Sequence, residues 1–256
     1  MSPSATPLSA GNDLSGRKAL VTGASRGIGA AIALALAARG ADVAITYERS
    51  ADQAQALVRE IEAMGRTAVA LQANSADADA AERSVKAAAE ALGGLDILVN
   101  NAGIARGGPL ESMSVEDIDA LIGVNIRGVI LTTRAAIPLL SDGGRIINIG
   151  SCLAERVAMP GISVYSMTKS ALVALTKGLS RDLGPRGITV NVVQPGSTDT
   201  DMNPADGPGS ADQLSGMSLK HYGTGEDIAG MVVFLAAPTG RQITGARFTV
   251  DGGANA

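Results

Sequence analysis

Tyr165 and Lys169 stand four residues apart, a spacing that puts both side chains on one face of a helix. An ammonium group beside a phenol favours the phenolate and lowers a pKa that starts at about 10, so such a pair can exchange a proton near neutral pH. A second chemical feature lies near the other end of the chain, in Thr22-Gly23-Ala24-Ser25-Arg26-Gly27-Ile28-Gly29. Glycines there let the backbone approach a pyrophosphate held at the positive end of a following helix. In this reading Gly23 makes the turn, Gly27 permits the close approach and Gly29 packs helix against strand. Neither feature is specific alone, since a Tyr/Lys pair is usually a surface contact and glycine-rich turns are common. Their place in the chain decides what they mean.

From Lys18 onward, short Val/Ile/Leu/Ala-rich runs alternate with helical periods, the pattern of a parallel sheet wrapped by crossover helices. The runs predict strands at 19–22, 43–46, 69–71, 95–99, 145–149, 188–193 and 247–250. Ile28, Ile32, Ala35 and Leu36 predict a first helix that Gly40 stops, and Ser50 with Gln53 offers a capping box for a second that Gly65 ends. Further helices are predicted at 79–92, from a cap at Ser114 and Asp117 onward to Leu140, at 163–183 and at 226–236. The glycine turn thus joins the first strand to the first helix, and the Tyr/Lys pair lies in the longest helix. Residues 197–224 lose the periodicity and are dominated by Gly, Pro, Ser, Asp and Asn. A long irregular segment directly after a strand, where α/β sheets bind ligands, reads as a substrate lid, the alternative being an ordinary surface excursion.

A chain of 256 residues fits one domain, taken as 16–256 behind a flexible tail at 1–15. With 46% hydrophobic and 18% charged residues, disorder and a coiled coil are excluded. A net charge of −4 and an aromatic content of 2% argue against nucleic acid as a partner. The one cysteine, Cys152, and the one histidine, His221, can form neither an internal disulfide nor a Cys/His zinc site of four, so no metal is expected. Gly150-Ser151-Cys152 lacks the nucleophile elbow of a hydrolase, whose triad would have to use His221. The start shows no signal pattern and no apolar run reaches the roughly 18 residues that cross a bilayer, so no membrane partner and a cytoplasmic location are expected.

The spacing TGxxxGxG in the glycine turn is joined by further motifs in order. Asn100-Asn101-Ala102-Gly103 follows the fourth strand, Asn125 sits in Val124-Asn125-Ile126, and Ser151 precedes Tyr165-Ser166-Met167-Thr168-Lys169. Pro195-Gly196, followed by Thr200, closes the series. On these motifs the chain resembles the classical short-chain dehydrogenase/reductase family, from about Leu14 to Gly253. The resemblance implies a Rossmann-type, doubly wound, seven-stranded parallel sheet with helices on both faces. It also implies a catalytic set of Asn125, Ser151, Tyr165 and Lys169. Tyr165 donates a proton to a carbonyl oxygen while a nicotinamide delivers hydride to the carbon, and Ser151 holds the same oxygen. Lys169 also binds the nicotinamide ribose, and Asn125 holds a water that links Lys169 to solvent. Cofactor contacts fall to Gly23, Ser25, Arg26, Gly27, Ile28, Gly29, Asn101, Ala102, Gly103, Tyr165, Lys169, Pro195, Gly196 and Thr200. Ser151 precedes Tyr165 by 14 residues, one more than the commonest family spacing, and the segment 153–161 is expected to carry the extra residue. Cys152, without a histidine base, is read as a packing residue.

Cofactor choice turns on the end of the second strand, where NAD-specific members usually carry an Asp and this chain has Tyr47. Arg26, Arg49 and Ser25 can converge on a ribose 2′-phosphate, with Glu48 as a partial offset and Asn74 against the adenine. NADP (NADPH) is therefore the expected cofactor. The expected activity is reduction of a small-molecule ketone or aldehyde. The resemblance implies a homotetramer, and Ala171, Leu172, Ala174, Leu175 and Leu179 on the 163–183 helix leave apolar surface for it. Competing readings are a 3-oxoacyl thioester reductase, an NAD-dependent alcohol dehydrogenase and a catalytically silent dinucleotide-sensing regulator. Against the first as a carrier-docking enzyme stands Leu140-Ser141-Asp142-Gly143-Gly144, an acidic turn where a basic stretch is expected; against the last stand Tyr165 and Lys169 together.

Overall fold

The computed structural model describes residues 13–256. Seven strands form one all-parallel sheet: β1 (Lys18–Val21), β2 (Asp42–Tyr47), β3 (Ala68–Gln72), β4 (Leu95–Asn100), β5 (Leu140–Ile149), β6 (Thr189–Pro195) and β7 (Arg247–Val250). Their order is β3-β2-β1-β4-β5-β6-β7, so the winding reverses between β1 and β4. That reversal opens a crevice at the carboxyl ends of the strands, which is where such sheets bind ligands. It is the parallel, helix-wrapped sheet that the alternation of runs predicts, in the doubly wound order that the resemblance implies.

Both faces are covered, which is why the strands read as continuous apolar runs rather than alternating ones. On one face α1 (Gly27–Ala38), α2 (Ala51–Ala63) and α8 (Gly225–Ala236) bury Ile32, Leu36, Leu57, Ile61 and Val232 against Val21, Val43 and Ile45. On the other, α3 (Ala78–Leu92), α5 (Val129–Ala136) and α6 (Ser163–Leu183) bury Val85, Ala88, Ala136 and Leu183 against Leu20, Leu98, Ile146 and Val190. The long helix expected from Ser114 is instead three pieces: α4 (Val115–Ile122), a π-helical turn at Gly123–Gly128, and α5. Its cap is as expected, the Ser114 side chain accepting from the Asp117 N–H at 3.1 Å.

Three expectations are corrected. β5 starts at Leu140 rather than at 145, because Leu140 pairs with Leu95 ahead of an irregularity before Ile97. Ser50 makes no side-chain cap to α2: its backbone, at φ −90° and ψ 65°, is not in the extended conformation that a cap adopts. The segment 197–224 is not wholly irregular. It contains α7 (Ser210–Gly216), a parallel bridge between Thr198 and Gly223, and a reciprocal amide pair of Asn203 with Gln213 at 3.0 Å. Of the tail expected at 1–15, residues 1–12 lie outside those described; Asp13 already pairs with Arg39 at 3.2 Å and Leu14 is buried in the core.

Candidate active site

Polar side chains stitch the glycine turn to its neighbours. The Thr22 hydroxyl accepts from the N–H groups of Asn101 and Ala102 at 3.0 and 3.1 Å, and the Asn101 amide donates to the carbonyls of Thr22 and Gly23 at 2.9 Å. Gly23 N–H in turn donates to the Thr46 hydroxyl at the end of β2. Gly23 and Gly27 have φ +61° and +57°, in the left-handed region that glycine tolerates. A Cβ on Gly23 would lie 2.8 Å from the Ala102 Cα, and one on Gly29 would lie 2.5 Å from the Asn101 amide nitrogen. Gly29 therefore makes room for Asn101 as well as for helix packing. α1 begins directly at Gly27, where Arg26 caps it with no side-chain hydrogen bond and no acidic residue occupies the first turn. This leaves orphan N–H groups and a positive helix end beside exposed glycine, a cradle chemically suited to an anion such as pyrophosphate.

Ile28 packs partly into the core behind the turn. Pro195 ends β6 inside the protein, and Gly196 passes so close to Asp251 that a Cβ would meet its Cα at 2.5 Å. From there the chain brings the Thr200 methyl within 3.3 Å of the Cβ position of Gly27. Thr200 is thus brought to the glycine turn, whereas Pro195 and Gly196 lie against Val250 and Asp251. Ser25 and Tyr47, half-buried, complete the inner rim.

The outer rim departs from expectation. Arg26 pairs with Asp201 at 2.9 Å, on the segment that follows Thr200, while Arg49 is 89% exposed and lies 3.7 Å from Glu48. Each arginine has its own carboxylate partner, and both are solvated. The Asn74 side-chain oxygen accepts from the Ala76 N–H at 2.9 Å, which turns it into its own loop.

On the floor of the crevice, α6 carries Tyr165 and Lys169 on one face, with the ammonium 5.9 Å from the phenol ring centre. Lys169 is buried and donates to the Ile149 carbonyl at 3.1 Å, two residues before Ser151. Asn125 lies in the π-helical turn, a distortion that recurs at functional sites. It is buried; its amide donates to the Ile104 carbonyl and the Thr168 hydroxyl at 2.9 and 3.1 Å and its oxygen accepts from the Ile104 N–H. One lone pair of that oxygen is left over, beside Gly103. Gly103 is confined from the other side too, since a Cβ would lie 3.2 Å from the Lys169 nitrogen. The Ser151 hydroxyl accepts from the Leu153 N–H at 3.2 Å, which leaves its proton for another acceptor.

Burial governs the ionisation of this group. It pushes the Tyr165 phenol above its ordinary value, against a smaller opposing pull from the Ser151 hydroxyl, and pushes the Lys169 ammonium down to about 8. The expectation that Lys169 lowers the phenol is not met: desolvation disfavours the charged form of each group, and the ammonium, 5.9 Å from the ring centre, does not offset it. Tyr165 holds its proton at neutral pH. Burial and Asp251 raise the Cys152 thiol to about 11, in keeping with a packing residue rather than a nucleophile. The interval between Ser151 and Tyr165 is fastened to the end of the chain, by Arg156 to the Ala254 carbonyl at 2.9 Å and Asn255 to the Cys152 carbonyl at 2.8 Å.

Sequence reasoning missed Thr22, Thr46 and Thr168, which act through single hydroxyl groups that no periodicity marks. The only available signal is a polar residue closing an apolar strand, as Thr22 and Thr46 do. Among the described residues no helix is long and apolar enough to cross a membrane, and no group of three or more His, Cys, Asp or Glu side chains could hold a metal.

Fold, glycine turn and Ser/Tyr/Lys floor together define an oxidoreductase of a known class. The family described as enoyl-(acyl carrier protein) reductase matches residues 23–255. The chain belongs to the short-chain dehydrogenase/reductase family. It is similar to a short-chain dehydrogenase from Burkholderia cenocepacia solved in complex with NADP, with 59% identity and a TM-score of 0.94 over 95% of this chain and 100% of that one. It is 44% identical to a 3-oxoacyl-[acyl-carrier-protein] reductase of Synechocystis, over 94% of this chain and 97% of the relative. It is also 44% identical to the cyclic-di-GMP-binding biofilm dispersal mediator protein of Escherichia coli, over 93% and 96% respectively.

Proposed function

We propose that the protein reduces a small ketone or aldehyde to the alcohol with NADPH, reversibly, in the cytoplasm. The observation that carries this reading is a phenol kept protonated by burial beside a serine hydroxyl with a free proton, above a buried lysine. Bound NADPH supplies the hydride to the carbonyl carbon. Ser151 donates a hydrogen bond to the carbonyl oxygen and fixes its position. Tyr165 releases its proton to that oxygen, and the Lys169 ammonium, charged below about 8, stabilises the phenolate left behind. Lys169 also reaches the nicotinamide ribose, and Asn125 uses its remaining lone pair to hold the water through which the proton is replaced. Asn101, Ala102 and Gly103 line the cofactor between the glycine turn and this floor, and Asn74 takes the adenine. The binding of NADP by the Burkholderia relative supports the cofactor, as do Tyr47 in place of an acid and the reach of Arg26.

In this reading residues 16–256 form one catalytic domain and 197–224 its substrate lid. The protein works as a homotetramer, supported by exposed Ile122 and Ile130 on the α4–α5 face and Met167 on α6; of the α6 residues expected to leave apolar surface, Leu172 is instead buried and Leu179 packs on the core. A free carbonyl compound is favoured over a carrier-bound thioester by Asp142, which is exposed and engaged with Arg186 at 2.9 Å where a basic docking stretch would be needed. Steady-state kinetics on a ketone panel with both cofactors test the proposal, and an acyl-carrier thioester in the same panel tests the substrate. NADPH should be preferred about 10- to 150-fold in kcat/KM, the equivalent of one charge-assisted hydrogen bond at about 1.5–3 kcal/mol. Arg26→Ala should lose NADPH efficiency with NADH nearly constant. Preference for NADH, or an equal loss with both cofactors, would place the phosphate elsewhere.

A further inference from the structure

Beneath the floor of the crevice lies a chain of four buried polar side chains to which the reaction assigns no role. The Asn100 amide donates to the Thr133 hydroxyl and to the Asn148 carbonyl, and the Asn148 amide donates to the Thr176 hydroxyl, each at 2.9 Å. None of the four is more than 2% exposed. Asn100 and Asn148 are direct neighbours across β4 and β5, on the face that Leu98 and Ile146 cover with the α5–α6 side of the core. Apolar residues fill the other positions of that face, and they would fill these without any desolvation cost. What a hydrogen-bonded chain adds is direction: an apolar contact tolerates sliding by a fraction of an ångström, whereas a buried amide–hydroxyl bond does not.

The chain joins the elements that carry the reacting groups. Thr176 lies seven residues beyond Lys169, two turns along the same face of α6. Asn148 immediately precedes Ile149, whose carbonyl receives the Lys169 ammonium, and leads within three residues to Ser151. Asn100 immediately precedes Asn101 of the cofactor crevice, and Thr133 lies on α5 beyond Asn125. We propose that Asn148 and Thr176 are positioning residues: through their shared hydrogen bond they set the height of α6 on β5, and with it the placement of Lys169 on the Ile149 carbonyl under Tyr165. The inference rests on the reductase reading for its consequence but on the buried chain for its geometry.

Two variants of Thr176 test it. Thr176→Val keeps the shape and removes the hydroxyl, and Thr176→Ser keeps the hydroxyl. The first readout needs no substrate: NMR titration of the Lys169 side chain in protein carrying 13C-labelled lysine. The titratable groups around the pair are Tyr165 itself, Cys152 beside the phenol and Asp251 beyond it, and all are unchanged in both variants. Parent and Thr176→Ser should titrate Lys169 near 8, and Thr176→Val should titrate it higher, because a loosened α6 admits water to the ammonium. On a reduced ketone, kcat of Thr176→Val should fall about tenfold or more, with a smaller rise in the KM for NADPH because Lys169 also reaches the nicotinamide ribose, and Thr176→Ser should restore both. Thr133→Val removes the equivalent bond at the α5 end; it should lower the melting temperature comparably yet leave the Lys169 titration in place. The proposal is overturned if Lys169 in Thr176→Val titrates as in the parent, or if all three variants move it alike. A parent inactive on every carbonyl compound would sink the reductase reading alone, since the titration still decides the positioning role.

Discussion

The catalytic floor and the cofactor rim are both built from polar side chains on the same crevice, yet they are held in opposite ways. On the floor, Asn125, Ser151 and Lys169 are buried, and their partners are backbone groups of neighbouring strands and loops together with the buried Thr168 hydroxyl. At the rim, Arg26, Arg49, Glu48 and Asp201 are largely exposed and have only one another. In low dielectric, a polar group without its partner costs far more than in water, so the floor is over-determined and stiff. Exposed ion pairs contribute about 0–1 kcal/mol and are screened by salt, so the rim can exchange partners when a ligand arrives. In the proposed reading, the place for chemistry is thus the rigid one and the place for recognition the adaptable one.

The comparison breaks first at Tyr165. Tyr165→Phe removes only the transferable proton and should lower turnover by about 10²–10⁴-fold with cofactor binding retained, as measured by titration and steady-state kinetics on one ketone. Turnover close to that of the parent would show that the floor does not carry the chemistry.

Lys169 gives the next largest effect, on stability rather than rate. Its folded value of about 8 lies below the ordinary 10.5, so between these values the unfolded chain binds more protons and stability rises with pH. Lys169→Met removes the buried charge and should stabilise the protein at pH 7 by about 1–3 kcal/mol, less what is lost with the Ile149 hydrogen bond. The advantage should shrink as pH climbs towards 10.5, which denaturant unfolding across that range would reveal. A constant difference would mean that the ammonium is hydrated after all.

Gly29→Ala probes where the two regions join. The added methyl meets the Asn101 amide at 2.5 Å and the Ala24 Cα at 2.8 Å, and overpacking of that kind costs about 1–3 kcal/mol. Melting temperature and NADPH affinity should fall together, because Asn101 is pushed off the turn that it pins.

The smallest effect is expected at the rim and sharpens the comparison most. A 2′-phosphate reaching Arg26 must compete with Asp201, so Asp201→Asn should raise NADPH affinity about two- to fivefold and leave NADH unchanged. The gain should fade at high salt and vanish in an Arg26→Ala background. A change of tens of fold would mean that the rim is as over-determined as the floor.

Strand and helix runs, the glycine turn and the Tyr165/Lys169 face were legible in the sequence, because period and spacing along one chain report on one element at a time. The predicted bounds 163–183 and 247–250 coincide with α6 and β7, both of which carry an unbroken local pattern. β5 was shortened in prediction because Ser141 to Gly144 read as a turn, and the pairing of Leu140 with Leu95 ahead of them is decided by a neighbour far along the chain. The π-helical turn at Asn125 was likewise invisible, and the partners of that side chain there, Ile104 and Thr168, lie on distant segments. The same holds for the carboxylate partner of Arg26: the sequence reading turned Arg26 and Arg49 towards a 2′-phosphate, and the pairing of Arg26 with Asp201, 175 residues away, arises only on folding. The direction of the Tyr165 shift was also set by tertiary structure: sequence places a cation one turn away and predicts a lower pKa, whereas burial raises it. Residue types determined which chemistry is possible here. Desolvation and the choice of hydrogen-bond partner, which exist only once distant segments meet, decided the ionisation of its groups and which of them stay in place.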